Sequence, residues 1–307
     1  MSDWDDNGTT FEPLQPVERS FDTPGVVRLR VENTAGLVEV RTHDRPTTEV
    51  SVVPQSRSAA RLLRDLRIDA RPSGAGHRVE VEVPHTRRGL LDWGLIGGDL
   101  SVNVSVRVPQ GAALELSTVS APVVADGSYA EAEIHTVSGD VTIDTVAGRS
   151  RLKTVSGRLE AQSLGAAEVH SASGEVTVDA LPQGGRISTA SGAVQLGRVA
   201  EHTRVHTASG DVRLTEADAD LNVETVSGDQ RIERAGAGDF SLRAVSGDIF
   251  VAVVPGTLVR FDAGSSSGRV DSEIEIERDR PSPQAGGGEL SLRAKTVSGD
   301  ISLARAG

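Results

Sequence analysis

The chain has 307 residues, carries a formal charge of −12 and contains no cysteine. The acidic balance argues against nucleic acid or an anionic membrane surface as a partner, because both favour a basic protein face. The lack of cysteine excludes disulfides, thiolate metal sites and cysteine catalysis. Aromatic residues make up only 3% of the chain, so stacking platforms for bases or sugars are scarce.

The two ends of the sequence show no targeting or anchoring signal. Residues 1–16 are acidic and polar, which predicts a disordered tail and lacks the basic and apolar regions of a secretory signal. No apolar run has the length of a membrane span, and the final LARAG is neither an anchor nor a sorting tail. The sequence therefore predicts a cytoplasmic protein without signal peptide, transmembrane segment or anchor.

Residues 17–112 are rich in alternating strand patterns. The segment VVRLRVENTAGLVEVRT at 26–42 resembles one degenerate coil of the repeat described below, and 77–85 and 99–111 alternate like strands. A short helix is predicted at 58–67, where three leucines form an apolar stripe. We interpret this module as an N-terminal cap, because the first coil of a solenoid needs a cover for its open core.

A glycine-rich connection within this module, RRGLLDWGLIGG at 87–98, concentrates large apolar residues. They are Leu90, Leu91, Trp93, Leu95 and Ile96. One interpretation is that they fold back onto the cap or the rod, since large exposed apolar patches are rare in soluble monomers. The other is a docking loop for a protein partner or a membrane surface, which makes this loop the candidate for a specific contact.

From residue 113 onwards the stretch HTVSGDV at 135–141 keeps returning. The glycines of its serine–glycine pairs are Gly139, Gly157, Gly174, Gly192, Gly210, Gly228, Gly247, Gly268 and Gly299. Most steps between them are 17 to 19 residues, and the last two are 21 and 31. A fixed period of this size indicates a solenoid, and the 13 extra residues of the last step, centred on 277–289, predict a flexible loop.

Apolar residues alternate on both sides of each serine–glycine pair, which is typical of strand, turn and strand. The predicted fold is therefore all-β: a parallel β-helix of about 18 residues per coil over 113–307, behind the N-terminal module. Each glycine is expected to supply a positive φ at a corner, and each serine to bond backbone at the same corner. Gln230 stands where other coils place Val, Leu or Ile, which predicts a local irregularity.

The repeated residues offer no convincing chemistry. His135, Ser138 and Asp140 have the composition of a catalytic triad, but the set recurs in other coils and dissolves in the rest, whereas a triad needs one pocket. The histidines fall on alternate coils, too far apart for zinc, and the acidic column is interrupted. We therefore predict no catalytic, metal or cofactor residues.

The last coil ends soon after TVSGDISL, and no polar helix follows it in the sequence. An uncovered coil offers unpaired backbone groups to another strand. Ile301 and Leu303 are therefore the predicted self-assembly edge, through which C-terminal faces would pair or filaments would grow.

The opening VVRLRVENTAGLVEV, the passage SVRVPQGAALELSTVS at 105–120 and the TVSGD coils resemble a bacterial domain family of unknown function known as "putative adhesin". The resemblance covers residues 17–305 and implies a β-solenoid without known catalysis. We predict a non-enzymatic, adhesin-like scaffold that binds a protein partner or itself. The alternatives are a carbohydrate-active β-helix enzyme and a binder that displays outward-facing Thr and Ser hydroxyls as an array, which depends on whether Thr136 or Val137 faces inward.

Overall fold

The structure, a computed structural model, describes residues 15–84, 100–274 and 288–307. Within these residues the chain is all-β apart from one short helix, α1 (Arg57–Leu62), which runs into a 3-10 turn at Leu63–Asp65. The first strands are β1 Val17–Asp22, β2 Val27–Asn33, β3 Val38–His43, β4 Thr47–Pro54, β5 Arg67–Ser73, β6 Gly76–Glu82, β7 Val102–Pro109, β8 Ala113–Thr118, β9 Val123–Tyr129, β10 Glu131–His135, β11 Val141–Thr154, β12 Leu159–Ser171 and β13 Val176–Leu181. The remaining strands are β14 Gly185–Ser191, β15 Val194–Val199, β16 Thr203–Ser209, β17 Val212–Ala217, β18 Leu221–Ser227, β19 Gln230–Ala235, β20 Gly238–Ser246, β21 Ile249–Val253, β22 Leu258–Ser267, β23 Val270–Ser272, β24 Glu289–Ser298 and β25 Ile301–Arg305.

The strands form two long ladders that alternate along the chain. Ladder A runs in the order β5, β6, β2, β8, β10, β11, β12, β14, β16, β18, β20, β24 and β22. Ladder B runs in the order β1, β4, β7, β3, β9, β11, β12, β13, β15, β17, β19, β21, β25 and β23. All pairs are parallel except β5–β6, β1–β4 and β4–β7, and β11 and β12 are long enough to join both ladders.

The core is one continuous apolar cluster between the two ladders. In ladder A, Ile187 pairs with Val205 and Val205 with Val223, so the same buried position returns after 18 residues. In ladder B, Val194 pairs with Val212 in the same way. The apolar side chains therefore stack on those of the neighbouring repeats, because no single pair of strands encloses a core of its own.

The N-terminal module shares this core. β2 pairs in parallel with β8 and β3 with β9, so both ladders continue across residue 112. The antiparallel strands β1 and β5 form the outer edges at this end. Helix α1 begins where the Ala59 N–H donates to Ser56 Oγ, and it packs the buried Ala59 and its leucines against the core.

The C-terminal strands do not form the end of the stack, which corrects the predicted self-assembly edge. β24 lies between β20 and β22, and β25 lies between β21 and β23. Ile301 and Leu303 are therefore paired on both sides and are only 1% and 2% exposed. The spatial order differs from the chain order because β22 and β23 pair with strands that follow them in the sequence. The outermost strands at this end are β22 and β23.

Gln230 occupies a core position of ladder B, paired with Val212 and Ile249, and is 1% exposed. Its Nε2 donates to the Arg243 carbonyl oxygen at 2.7 Å and to Thr225 Oγ1 at 3.0 Å. The pairing of β19 with β21 shifts register between Ile232 and Ala235, close to this side chain. The Gln230 amide nitrogen is therefore held by polar groups of β18 and β20 in ladder A.

Candidate functional site

The repeated T-x-S-G-D segment forms the corner between ladder A and ladder B. Its threonine points inward and the following residue points outward: Thr136 is 6% exposed and Val137 is 46% exposed. The other threonines of this column are also buried. The hydroxyl-array alternative required the threonines to face solvent and is therefore wrong for this column.

The buried threonine hydroxyl holds the corner glycine in the first repeats. The Gly139 N–H donates to Thr136 Oγ1 at 3.0 Å, and the Gly157 N–H donates to Thr154 Oγ1 at 3.0 Å. Ser171 plays the same part for the Gly174 N–H. A hydroxyl three residues before the glycine thus satisfies a backbone donor at the turn.

The serine and the aspartate bond the neighbouring repeat rather than their own corner. Ser138 Oγ donates to the Val119 carbonyl oxygen at 3.3 Å, and Ser156 and Ser173 make the corresponding bonds to Val137 and Val155. Carboxylates accept from the backbone N–H at the same position of the adjacent strand pair. The pairs, acceptor first, are Asp140–Arg158, Asp211–Asp229, Asp229–Asp248, Asp248–Asp300 and Asp300–Arg269, at 2.8 to 2.9 Å.

These contacts leave no triad at the first repeat. His135 Nε2 lies 3.1 Å from Glu133 Oε1, while the Ser138 hydroxyl is bonded to a carbonyl oxygen. Asp140 is engaged with the Arg158 backbone. Within the described part of the chain, the Ser138 hydroxyl has no hydrogen bond to a base, which nucleophilic catalysis requires. The polar side chains of HTVSGDV are thus engaged within their own repeat or with the neighbouring one.

The corner glycines are required mainly by close approach, which corrects the expectation of a positive φ at each corner. Gly139, Gly157 and Gly174 are not among the glycines with positive φ. A Cβ on Gly157 would overlap the carbonyl oxygen of Gly139, and a Cβ on Gly174 would overlap that of Gly157. A positive φ enters only later, for example +142° at Gly228.

The later corners use a different hydrogen bond from the same sequence motif. The Gly210 N–H donates to the Ser227 carbonyl oxygen at 3.0 Å, and Gly192 bonds Ser209 in the same way. At these corners the backbone pairing extends as far as the serine. The serine carbonyl oxygen of the adjacent repeat replaces the threonine hydroxyl as the acceptor for the glycine N–H. In consequence Thr189 Oγ1 and Thr207 Oγ1 are buried and have no hydrogen-bond partner within the described residues.

Threonine-to-valine substitutions should distinguish the corners in which the threonine hydroxyl accepts from the glycine N–H from those in which it does not. Thr154→Val should lower the free energy of unfolding by about 1–2 kcal/mol, because it leaves the buried Gly157 N–H unpaired. Thr207→Val, its matched control, removes a buried hydroxyl without a described partner and should leave stability unchanged or raise it by up to about 1 kcal/mol. Urea unfolding measures both. Equal losses at the two positions would show that the threonine hydroxyls do not differ in this way.

Charged residues line the outer face of ladder A in the first repeats. Arg151 lies between Glu133 and Glu168, with its nearest nitrogens 3.6 Å and 3.0 Å from their oxygens. The hydrogen bond from His135 holds the pKa of Glu133 below its ordinary value, and that from Arg151 does the same for the pKa of Glu168. These groups are solvated, so the network contributes little stability and no buried charge.

The exposed residues between Thr and Ser form a continuous column that we call the valine ridge. It consists of Val119, Val137, Val155, Ala172, Ala190, Ala208, Val226, Val245 and Val297, and its valines are 42% to 52% exposed. Parallel strands are spaced by about 4.8 Å, so the ridge offers a regular line of small apolar groups along the corner.

A groove of about 670 Å³ lies beside the C-terminal part of the valine ridge. Four chargeable residues line it together with three ridge valines: His206, Glu224, Arg243, Lys295, Val226, Val245 and Val297. Glu224 lies 3.7 Å from Arg243 Nη1 and 3.8 Å from His206 Nδ1. The groove therefore combines an apolar strip with a mixed-charge wall.

The remaining predicted site residues belong to the docking loop. The loop 87–98, with Leu90, Leu91, Trp93, Leu95 and Ile96, lies outside the described residues. Among the described residues no cluster of three potential metal ligands occurs, and no helix has the length and apolar character needed to cross a membrane. The valine ridge is not among the predicted sites, although its signal in the sequence is the apolar residue that recurs inside T-x-S-G.

Comparison with known proteins gives a partial family match. A family model described as Toastrack DUF4097, a domain of unknown function, matches residues 167–304. These residues carry most of the repeats that prompted the predicted resemblance. No curated protein matches the chain significantly.

Several solved structures are similar to this chain at low sequence identity. A "putative adhesin" from Parabacteroides merdae is 8% identical, with a TM-score of 0.45 over 94% of this chain and 96% of that one. A "putative adhesin" from Bacteroides fragilis is 11% identical, with a TM-score of 0.34 over 94% and 97%. A "putative cell adhesion protein" from Clostridium sporogenes is 9% identical, with a TM-score of 0.28 over 95% and 100%. TM-scores of this size identify neither a common fold nor a common function.

Proposed function

We propose that this chain is a non-enzymatic, adhesin-like binding protein, built as a parallel β-solenoid of about 18 residues per coil. The observation that carries the proposal is the valine ridge with its groove, a regular exposed surface that the bonds between repeats leave free. Apolar contact groups beside charged ones are the usual composition of a protein interface. The partner on this surface would be a protein segment.

The use of the repeated polar groups supports a scaffold rather than an enzyme. The serine hydroxyls in the first corners and the aspartate carboxylates of the column are engaged with neighbouring backbone, which makes them part of the rod. A rod of this kind presents its surface without a conformational step. Binding to it therefore costs little ordering of the protein, although the partner still loses freedom on binding.

The carbohydrate-active alternative finds weaker support. Glycoside hydrolysis commonly uses two carboxyl groups that flank the bond to be cleaved. Glu224, the one carboxylate that lines the groove among the described residues, lies near Arg243 and His206. The single tyrosine, Tyr129, is fully buried, its hydroxyl donates to the Val40 carbonyl oxygen, and burial raises its pKa. It therefore offers no platform for a sugar ring.

A binding screen with matched variants tests the proposal. Immobilised protein would be exposed to a peptide array and to acidic polysaccharides, and both retained ligand and newly formed reducing ends would be measured. We expect retained peptide without released sugar. The variant Val226→Asp/Val245→Asp should lose the retained peptide at least about tenfold, because a charge interrupts the apolar strip.

The matched control places the same two charges on the outer face of ladder B, as Thr142→Asp/Thr215→Asp, where both side chains are exposed. It should bind as the unsubstituted chain does. Reducing ends that appear with the unsubstituted chain and disappear with Glu224→Gln would overturn the proposal in favour of the enzyme. Equal binding by the ridge variant and the control would remove the valine ridge as the contact surface.

A further inference from the structure

The end of the stack formed by β22 and β23 has a free edge. Within the described residues β22 pairs only with β24, and β23 pairs only with β25. In a parallel ladder the N–H and C=O groups of alternate residues point to either side of a strand. The groups of β22 that point away from β24 are therefore available to another strand.

The core is also incompletely covered at this end. Val259, Phe261 and Ala263 stand in register with Leu290, Leu292 and Ala294, which are at most 1% exposed. The three residues of β22 face the core in the same way but are only partly buried. Val270 of β23 is 42% exposed, although its partner Ile301 is 1% exposed. Among the residues that the structure describes, this end therefore exposes both unpaired backbone and apolar side chains.

We propose that a second copy of this chain covers this end, with β22 running antiparallel to β22 of the other copy about a two-fold axis. The proposal rests on the proposed function in that it names one partner of the rod. A two-fold contact is isologous, so the same strand must be complementary to itself. The charges of β22 meet that condition.

Arg260 and Asp262 flank Phe261 on the outer face of β22, and both are exposed. In an antiparallel pair centred on Phe261, Arg260 of each copy stands opposite Asp262 of the other. The same register places Val259 opposite Ala263 and the two copies of Phe261 opposite each other on the core side. Opposite charges and apolar residues directly across a strand pair stabilise it. Asp262 has no ion pair within the described part of the chain, whereas Arg260 lies 2.8 Å from Glu289.

Charge reversal in one position at a time tests the register. In Asp262→Arg both edge charges become basic, and in Arg260→Asp both become acidic. Sedimentation equilibrium of the full chain should show twice the 32.1 kDa of one chain. Each variant should raise the dissociation constant of the dimer at least about tenfold, because like charges then face each other. An equimolar mixture of the two variants should restore a dimer containing one copy of each.

Arg204→Asp is the control, since Arg204 is exposed on β16 and away from the edge; it should leave the dimer unchanged. A full chain that stays at one copy at every concentration would overturn the proposal and point to a segment of the same chain as the occupant of the edge. A dimer that persists in both variants, or a mixture that does not recover it, would also overturn it. The ridge variants are expected to dimerise normally, so failure of this inference and failure of the proposed function give different results.

Discussion

Gly157→Ala is expected to lower the free energy of unfolding by about 2–3 kcal/mol, the upper part of the range for overpacking a filled site. The added methyl group would overlap the backbone carbonyl of Gly139, which cannot rotate away as a side chain could. That carbonyl belongs to the adjacent repeat, so the two corners must move apart and strain the bond between Thr154 and the Gly157 N–H. Urea unfolding of the two proteins measures the loss.

Gly264→Ala is the matched control for this prediction. Gly264 lies on an exposed position of β22, and nothing lies within 4 Å of an added Cβ. Neither glycine has a positive φ, so the two substitutions differ in the space around the methyl group and not in backbone strain. If both cost the same, close approach of the repeats would not be the reason for the glycine column.

Ile301→Lys is expected to cost about 4 kcal/mol or more, because it places a charge in the core between β21 and β23. Rods of stacked repeats are stabilised by nearest neighbours, so the damage should be local. Amide hydrogen exchange should lose protection in β22 to β25, while β10 to β12 stay protected. Loss of protection is expected because β25 lies inside the stack, between β21 and β23. If β25 formed an open edge, the rod would remain folded and these strands would stay protected.

Ser302→Lys provides the comparison one residue along the same strand. Ser302 points outward, is partly exposed and stands opposite Asp271 of β23. A lysine there can reach solvent and should leave exchange protection unchanged. If Ile301→Lys behaved in the same way, β25 would lie at an edge and not between β21 and β23.

Much of the fold could be predicted because its determinants are local and repeated. The alternation of apolar residues and the serine–glycine pairs predict an all-β chain, and the leucine stripe predicts one short helix; both are confirmed within the described residues. Each strand is specified by residues within it and is completed by a neighbour of similar sequence. The resemblance predicted over residues 17–305 has a counterpart in the family match over residues 167–304.

The parts that could not be predicted depend on choices between equivalent partners. Leu292 is apolar, and both Phe240 and Phe261 offer it a suitable partner, so the sequence does not reveal that it lies between them. The long step from Gly268 to Gly299 predicts only a loop in an otherwise sequential stack. Valine and threonine have similar shapes, so the inward side of the corner followed only from the bonds that Thr136 makes.

The position of β24 and β25 has a consequence for synthesis of the chain on the ribosome. From β10 to β21, every strand can pair on emergence with one already made. β22 and β23 cannot, because the strands beside which they lie are translated after them. Their final placement also requires β24 to pair with β20, where Gly238 stands opposite Leu290. This pairing closes a long chain segment, and the entropy lost on closure slows it. Folding during synthesis therefore ends with a step in which β24 and β25 enter together. β24 enters between β20 and β22, and β25 enters between β21 and β23.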